Sequence, residues 1–367
     1  MAVLNVADKP TMDTLLDTVQ VVKNLIPRDM SVLNHSLDNY ESFGSYSKVS
    51  FISHSFYYGA AVLFNNEIHI FGSGNNNYNK YHYKWNGSSW VSVSTLPHIF
   101  YDGAVVVFNN EIHIFGGSYN NPTAHYKWNG SSWVSVSTLP YSFYEGAAVV
   151  FNNEIHLIGS DASKTSHYKW NGSSWTSVST LPYNFNQGTA IVYNNEIHIL
   201  GGEEYSTNHY KWNGAAWSRV STLPYSFYSG DAVVMDGVIH LFGGGSRDGS
   251  NAFNHYIMKD NTWVLAGILP FAFVCSKAVV SSGEIHLLGS GLSAQDHSYS
   301  HYATSMYLAN KISMYLFKGQ KIYLPGTQDA VALTNCTGSS NTFTVTEDGL
   351  VEIILKTDAS SIAISVS

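Results

Sequence analysis

A short phrase that recurs along the chain constrains its fold more than any other feature. The phrase NNEIHIFG starts at Asn65 and returns, with small changes, every 42 to 46 residues. The histidines at its centre are His69, His113, His156, His198, His240 and His286. A period of this length is typical of proteins built from stacked or closed arrays of one structural unit.

A second phrase, HYKWNGSSWVSVSTLP, follows the first one in each copy. It starts at His82 and returns at His125, His167 and His209, and in a decayed form at His255. Two asparagines between two apolar runs predict a tight hairpin in the first phrase, and the Asn-Gly pair predicts another in the second. Four short antiparallel strands in each of six copies predict the blades of a β-propeller.

The order of these elements resembles the kelch repeat. The copy at 114–117 reads Ile-Phe-Gly-Gly, a Trp follows about sixteen residues later, and Leu139-Pro140 ends the unit. The resemblance spans about residues 45–304 and implies an all-β, six-bladed kelch-type propeller. Three copies carry Gly-Ser in place of Gly-Gly, and histidine stands where kelch repeats usually carry tyrosine. Kelch propellers include enzymes, adhesins and adaptors, so the resemblance leaves function open.

The two ends of the chain differ from the repeats. Residues 46–53 match the last strand that the sixth copy lacks, so we expect this N-terminal strand to close the ring. We divide the chain into an N-terminal segment at 1–44, a propeller at 45–310 and a small β domain at 311–367. Apolar residues at spacings of three and four predict a helix at about 11–26. We expect this helix to form the stalk of a homo-oligomer, for example a trimer. The alternative is that it packs under the propeller.

Composition narrows the choice of partner. Only 12% of the residues are charged, whereas tyrosine occurs 25 times, so Tyr, Asn and Ser must supply much of the surface, which suits hydroxyl-rich ligands. A net charge of −8 without a basic cluster argues against nucleic acid. No apolar run is long enough for a transmembrane helix. Residues 1–8 do not resemble a signal peptide, and we expect Cys275 and Cys336 to be free thiols.

The recurring histidines and glutamates do not predict catalysis or metal binding. Metal ligands must converge on one point, whereas equivalent positions on successive blades diverge. The histidine of each first phrase alternates with aliphatic residues, which is typical of packing within a strand. The chain shows no nucleophile elbow, phosphate loop or Cys/His metal spacing. We therefore predict no catalytic residue, metal or cofactor.

Comparing the copies with one another points to a ligand site. A Phe lies three residues before the residue that opens each innermost strand, a Gly in five of the six copies, and never changes, whereas the residue before that opening residue differs in every copy. In a propeller this loop borders the central channel, so the varying side chains should line one mouth; drift in exposed loops is the alternative. The predicted ligand-binding residues are Tyr57, Tyr58, Tyr101, Asp102, Tyr144, Glu145, Asn186, Gln187, Tyr228 and Ser229.

Two classes of function fit these patterns. The first is a binding protein, an adhesin or phage-tail receptor-binding protein, that contacts a cell-surface glycan or host receptor from a virion or extracellular surface. The second is a sugar-directed enzyme, an epimerase or lyase, with Asp102 and Glu145 as acid and base. A third hypothesis is a cytoplasmic kelch adaptor. Kelch-type copper oxidases need a ligand set around a Cys/Tyr pair, and none is evident near Cys275.

Overall fold

The computed structural model divides the chain into two compact units, Ser45–Ser305 and Met1–Gly44 with Met306–Ser367. In the first unit the structure describes residues 46–52, 56–72, 80–117, 120–159, 164–203, 206–245, 251–290 and 300–304. In the second it describes residues 33–36, 38–41, 308–316, 318–323, 330–334, 336–339, 342–347, 349–355 and 361–366. The predicted helix at 11–26 lies outside the described residues.

The first unit consists of six antiparallel sheets of four strands, which we number as blades 1 to 6 along the chain. The first strands are Ala60–Phe64, Ala104–Phe108, Ala147–Phe151, Thr189–Tyr193, Asp231–Met235 and Val274–Ser281. The second strands are Glu67–Phe71, Glu111–Phe115, Glu154–Ile158, Glu196–Leu200, Val238–Phe242 and Glu284–Ser290. The third strands are Tyr81–Trp85, Ala124–Trp128, Ser166–Trp170, Asn208–Trp212, Asn254–Lys259 and Ser300–Thr304. The outer strands are Trp90–Thr95, Trp133–Thr138, Trp175–Thr180, Trp217–Thr222, Thr262–Ile268 and, for blade 6, Ser47–Phe51.

The blades are arranged in a closed ring. The first strand of each blade contacts the first strand of the next, and that of blade 6 contacts that of blade 1. The unit is therefore a six-bladed β-propeller, which confirms the all-β fold predicted from the repeats. The described residues contain no helix, and so none that could span a membrane.

The hairpin between the first and second strands explains why two asparagines recur in the first phrase. In blade 3, Asn152 and Asn153 both have positive φ, 49° and 58°, and Phe151 pairs directly with Glu154 across the turn. Asparagine tolerates this left-handed region better than most residues. Beside the turn, Lys169 donates to Glu154 at 2.9 Å. The recurring glutamate thus belongs to the hairpin, as expected.

The hydrophobic core lies between neighbouring blades. One cluster packs Phe108 and Phe115 of blade 2 against Ile155, Leu157 and Trp170 of blade 3. Both faces of each sheet are buried in this way, and four of the five residues of each second strand from blade 1 to blade 5 are buried. Each large apolar side chain contributes about 1.5 to 3 kcal/mol by leaving water.

The histidines of the two phrases form a buried hydrogen-bonded relay. In blade 2, His113 Nδ1 lies 2.9 Å from His125 Nε2, and His125 Nδ1 lies 2.9 Å from Ser137 Oγ. Trp175 of blade 3 donates its indole N–H to the same Ser137 oxygen at 3.1 Å. We call this set a histidine relay. The equivalent relays are His69–His82–Ser94–Trp133, His156–His167–Ser179–Trp217, His198–His209–Ser221–Trp263 and His286–His301–Ser50–Trp90.

The indole contributes one donor to each relay. Because an indole N–H can only donate, Ser137 accepts it, while its hydroxyl can still either donate to or accept from His125 Nδ1. Burial lowers the pKa of both His113 and His125, so both rings are neutral at physiological pH. The recurring histidines therefore join three strands of one blade to the next blade, in agreement with the packing role expected for them.

Blade 5 replaces the serine and the tryptophan of the relay with one residue. Gly267 occupies the position of the serine, opposite His255. Tyr46, which precedes the outer strand of blade 6, places its hydroxyl 2.7 Å from His255 Nδ1. The outer strand itself pairs antiparallel with Ser300–Thr304. That this strand locks the ring stays a prediction.

In blades 1 to 5, the first Gly of the Gly-Gly or Gly-Ser pair lies against the next blade. Gly116 has φ of +55°, and a Cβ there would overlap the backbone carbonyl of Phe143. Gly72, Gly159, Gly201 and Gly243 face the corresponding Phe in the same way. A side chain at this position would force two blades apart, which explains why the first glycine is kept in these copies.

In the second unit, the described strands form one nine-stranded sheet. Their order is Leu33–Ser36, Ser361–Val366, Lys321–Tyr323, Thr342–Val345, Cys336–Ser339, Ala330–Thr334, Gly349–Leu355, Leu308–Leu316 and Asp38–Glu41. Strands from residues 33–41 therefore lie at both edges of a sheet otherwise made from residues 308–366. The separate roles assigned to residues 1–44 and 311–367 stay predictions.

Candidate functional site

Six residues at equivalent positions in the six blades form a ring at one end of the propeller. We call them the ring residues: Tyr58, Asp102, Glu145, Gln187, Ser229 and Cys275. Each of them has a positive φ, between 53° and 61°. Residues other than glycine rarely adopt this conformation, so six of them at one site indicate a specific constraint.

That constraint is a closed cycle of backbone hydrogen bonds. The N–H of each ring residue donates to the carbonyl oxygen of the ring residue in the preceding blade, over 2.6 to 3.1 Å. The N–H of Tyr58 completes the cycle by donating to the carbonyl of Cys275 at 3.1 Å. Because the cycle uses only backbone atoms, it holds the ring together whichever side chains are attached. The side chains can therefore vary from blade to blade without altering the scaffold.

The invariant Phe of the same loop is fully buried in every blade. In blade 2, Phe100 is fully buried, and a Cβ at Gly103 would lie 2.5 Å from its ring. The glycine after the ring residue is thus needed for close packing against this Phe. Blade 6 carries Ser276 instead, and its Phe273 is also fully buried.

The ring residues surround a cavity on the propeller axis. Its lining consists of the six ring residues, Gly59, Gly103, Gly146, Gly188, Gly230 and Lys277. Its enclosed volume is about 50 Å³, and it opens to solvent. The lining supplies carboxyl, amide, hydroxyl, phenol, thiol and ammonium groups, each from a different blade or strand.

Half of the residues predicted for the site line this cavity. Tyr58, Asp102, Glu145, Gln187 and Ser229 do so. The residues before them, Tyr57, Tyr101, Tyr144, Asn186 and Tyr228, are not part of its lining. The ring of Tyr57 contacts that of Tyr58 at a centroid distance of 4.4 Å.

Two lining residues were missing from the predicted set. Cys275 stands at the sixth ring position, but its copy lacks the following glycine. Lys277 lies in the first strand of blade 6, at the position where blades 1 to 3 have alanine. At this position the six copies read Ala, Ala, Ala, Thr, Asp and Lys. Comparing the copies there would have identified Lys277.

Three of the ring side chains form a directed chain of hydrogen bonds. The hydroxyl of Ser229 donates to Gln187 Oε1 at 2.7 Å. The amide of Gln187 donates to Glu145 Oε1 at 2.6 Å. The chain therefore crosses three blades and ends on a carboxyl oxygen, which acts as its acceptor.

Asp102 is the most perturbed acid of the site. Burial raises the pKa of its carboxyl group to about 8; the neighbouring Glu145 adds to the shift, whereas Lys277 opposes it. A carboxyl group with this pKa is mostly protonated at neutral pH. It can then donate a hydrogen bond, which an ionised carboxylate cannot do.

The thiol of Cys275 is buried between blades 5 and 1. Burial raises its pKa to about 11, and Tyr57, Tyr58 and Ser229 lie within hydrogen-bond reach. Burial likewise raises the pKa of Tyr57 to about 12 and that of Tyr58 still further. These groups are therefore neutral at physiological pH, and the thiol lacks the thiolate character of a reactive cysteine.

A second polar layer lies just behind the ring in blades 4 to 6. Asp231 accepts hydrogen bonds from Thr189 Oγ1 at 2.9 Å and from the backbone N–H groups of Ala232 and Ala278, each at 3.0 Å. It thus joins three blades through one carboxylate. Within the described part of the chain, no group of three or more His, Cys, Asp or Glu could hold a metal ion.

Comparisons with known proteins identify the fold. No family model matches the sequence, and no curated protein does. Among solved structures, one described as "Structure of YjhT" matches with a TM-score of 0.60 and 13% identity, over 72% of this chain and 97% of that chain. At this identity the likeness shows a shared propeller fold alone. In total 386 chains of solved structures match, so the fold does not single out one activity.

Proposed function

We propose that this protein recognises surface glycans through the cavity of its ring residues. It is then an adhesin or a phage-tail receptor-binding protein of kelch type. The observation that carries the proposal is the ring itself. Six identical backbone positions, fixed by one cycle of hydrogen bonds, carry six different polar side chains. Different side chains at equivalent positions of a repeat protein are expected where it binds one asymmetric ligand.

The groups that line the cavity suit neutral sugars. Tyr58 supplies a flat aromatic surface, while Glu145 and Gln187 supply acceptors and donors for hydroxyl groups. A site framed by six ring residues around one open mouth favours a single sugar unit at the end of a glycan over a long chain. The ligand class is therefore the terminal residue of a surface glycan.

Oligomerisation fits this function. Single sugar sites are commonly weak, and joining several of them on one stalk raises the avidity by about 10²- to 10⁴-fold without new contacts. The proposed stalk is the helix predicted at 11–26. The proposed location is a virion or another extracellular surface.

The experiment is a glycan array probed with the full chain, together with light scattering to measure its mass. The Gln187→Gly variant keeps the positive φ of the ring and breaks the hydrogen-bond chain, so it should lose the array signal. The Lys127→Gln variant is the matched control, because it removes an ion pair at the opposite end of the blade. Equal array signals from all three proteins would reject the ring as the binding site.

A sugar-directed enzyme, an epimerase or lyase, is the second candidate, and one observation favours it. Asp102, whose carboxyl pKa is raised by burial, lies beside Glu145, and two neighbouring carboxyl groups commonly supply an acid and a base. The test is to incubate each glycan that binds with the protein and to analyse the products. If the wild-type protein converts a glycan and the Asp102→Asn variant binds that glycan without converting it, the protein is an enzyme instead.

A further inference from the structure

Two carboxyl groups of the ring lie next to one another in blades 2 and 3. The backbone N–H of Glu145 donates to the carbonyl of Asp102 at 2.7 Å, and both side chains line the cavity. A neighbouring carboxyl group disfavours the ionised form of a partly buried acid, and Glu145 has this effect on Asp102. The hydrogen bonds around each carboxyl group distinguish the two.

The directed chain of hydrogen bonds ends on the Glu145 carboxyl group, which accepts from it. Gln187 donates its amide proton to Glu145 Oε1 at 2.6 Å, while its own oxygen is occupied by the hydroxyl of Ser229 at 2.7 Å. A hydrogen bond from a fixed donor stabilises the ionised carboxylate more than the neutral acid. Glu145 is therefore held as an acceptor.

Asp102 lacks such support. Among the described residues, no side chain donates a hydrogen bond to its carboxyl group, although Lys277 acts on it through charge. The other titratable groups that act on this part of the ring are Tyr57, Tyr58 and Cys275, which are neutral at physiological pH. Burial beside the Glu145 carboxylate favours the neutral form of Asp102.

We infer that Asp102 meets the ligand as a neutral carboxylic acid that donates a hydrogen bond beside the Glu145 acceptor. This inference rests on the proposed function and specifies its ligand. The cavity then selects sugars that present an acceptor, such as a ring or carbonyl oxygen, next to a hydroxyl donor. A ligand with two donors at these positions leaves the Asp102 proton without a partner.

The arrangement makes binding depend on pH. The raised pKa of about 8 means that the donor is present below that pH and is lost above it. Because the ligand binds the protonated form, affinity should be constant from neutral to weakly acidic pH. It should fall about tenfold for each pH unit above the pKa of Asp102 in the ligand-free protein.

Infrared difference spectroscopy of the ligand-free full chain tests the protonation state directly. Wild type minus Asp102→Asn should show the carbonyl stretch of a neutral carboxylic acid at pH 7, and the band should disappear as the pH passes about 8. Asparagine tolerates the positive φ of this position, so the variant preserves the ring. A band that disappears near the ordinary pKa of Asp, about 4, would overturn the inference.

Binding of the strongest neutral glycan from the array tests the donor role. Asp102→Asn keeps an N–H donor and should bind with an affinity that no longer depends on pH. Asp102→Gly keeps the backbone and removes the donor, so it should bind at least about tenfold more weakly at every pH. A wild-type affinity that stays constant through pH 9 would overturn the donor role. If no glycan binds, both the proposed function and the selectivity inferred for the ligand are refuted. The infrared band still tests whether Asp102 is protonated in the ligand-free protein.

Discussion

Lowering the pH is expected to unfold the propeller, because its relay histidines are buried as neutral rings. Burial lowers the pKa of His113 to about 4 and that of His125 to about 3, and the other blades show the same direction. In the unfolded chain both groups have a pKa near 6.5. The folded pKa is thus lower than the unfolded one, so the unfolded state binds more protons. Stability is full above about pH 6.5 and is lost as the pH falls towards 4.

The magnitude follows from the number of relay histidines. At pH 5 each unfolded histidine is almost fully protonated and each folded one almost neutral, which removes about 2 kcal/mol of stability per histidine. One blade therefore loses about 4 kcal/mol. The free energy of unfolding of a typical protein is about 5 to 15 kcal/mol, so a few blades suffice to unfold the ring before pH 5 is reached.

Urea unfolding in half-unit steps from about pH 7.5 to about pH 5, followed by tryptophan fluorescence, measures this loss. All nine tryptophans lie in the blades, so the signal reports on the propeller. The double variant His113→Gln/His125→Gln removes one pair and should show a shallower dependence on pH. An unfolding free energy that is equal at pH 7.5 and pH 5.5 would show that the relay histidines are not held neutral.

Other parts of the structure give further predictions, each measurable by chemical or thermal unfolding. Ser137→Ala removes the partner of two buried groups and should lower the free energy of unfolding by about 1 to 3 kcal/mol. Gly116→Ala combines a positive φ with overlap against the next blade and should cost about 3 kcal/mol or more, whereas Gly130→Ala, with open space around it, should cost only about 1 kcal/mol. Deleting residues 1–53 should abolish cooperative unfolding of the propeller, and deleting residues 1–40 should not. Equal melting of the two truncations would show that the N-terminal strand does not close the ring.

The repeats explain why so much of the fold could be predicted from the sequence. Six copies of one pattern average out local ambiguity, and Asn-Asn and Asn-Gly turns mark the same two hairpins in blades 1 to 4. The face that carries the cavity also followed from the copies, since Asp102 and its equivalents vary where Phe does not. The relay was not predicted, because the partners of His125 lie on other strands and on the next blade. Lys277 was missed because the comparison of the copies stopped one residue before it.

A crystal structure of the full chain with the strongest glycan from the array shows whether the ring cavity is the binding site. We predict a sugar unit in the cavity of the ring residues, with hydroxyl or ring oxygens within hydrogen-bond distance of Asp102 and Glu145. A glycan bound elsewhere, on the outer strands of the blades or on the second unit, with the ring cavity free of sugar, would contradict it.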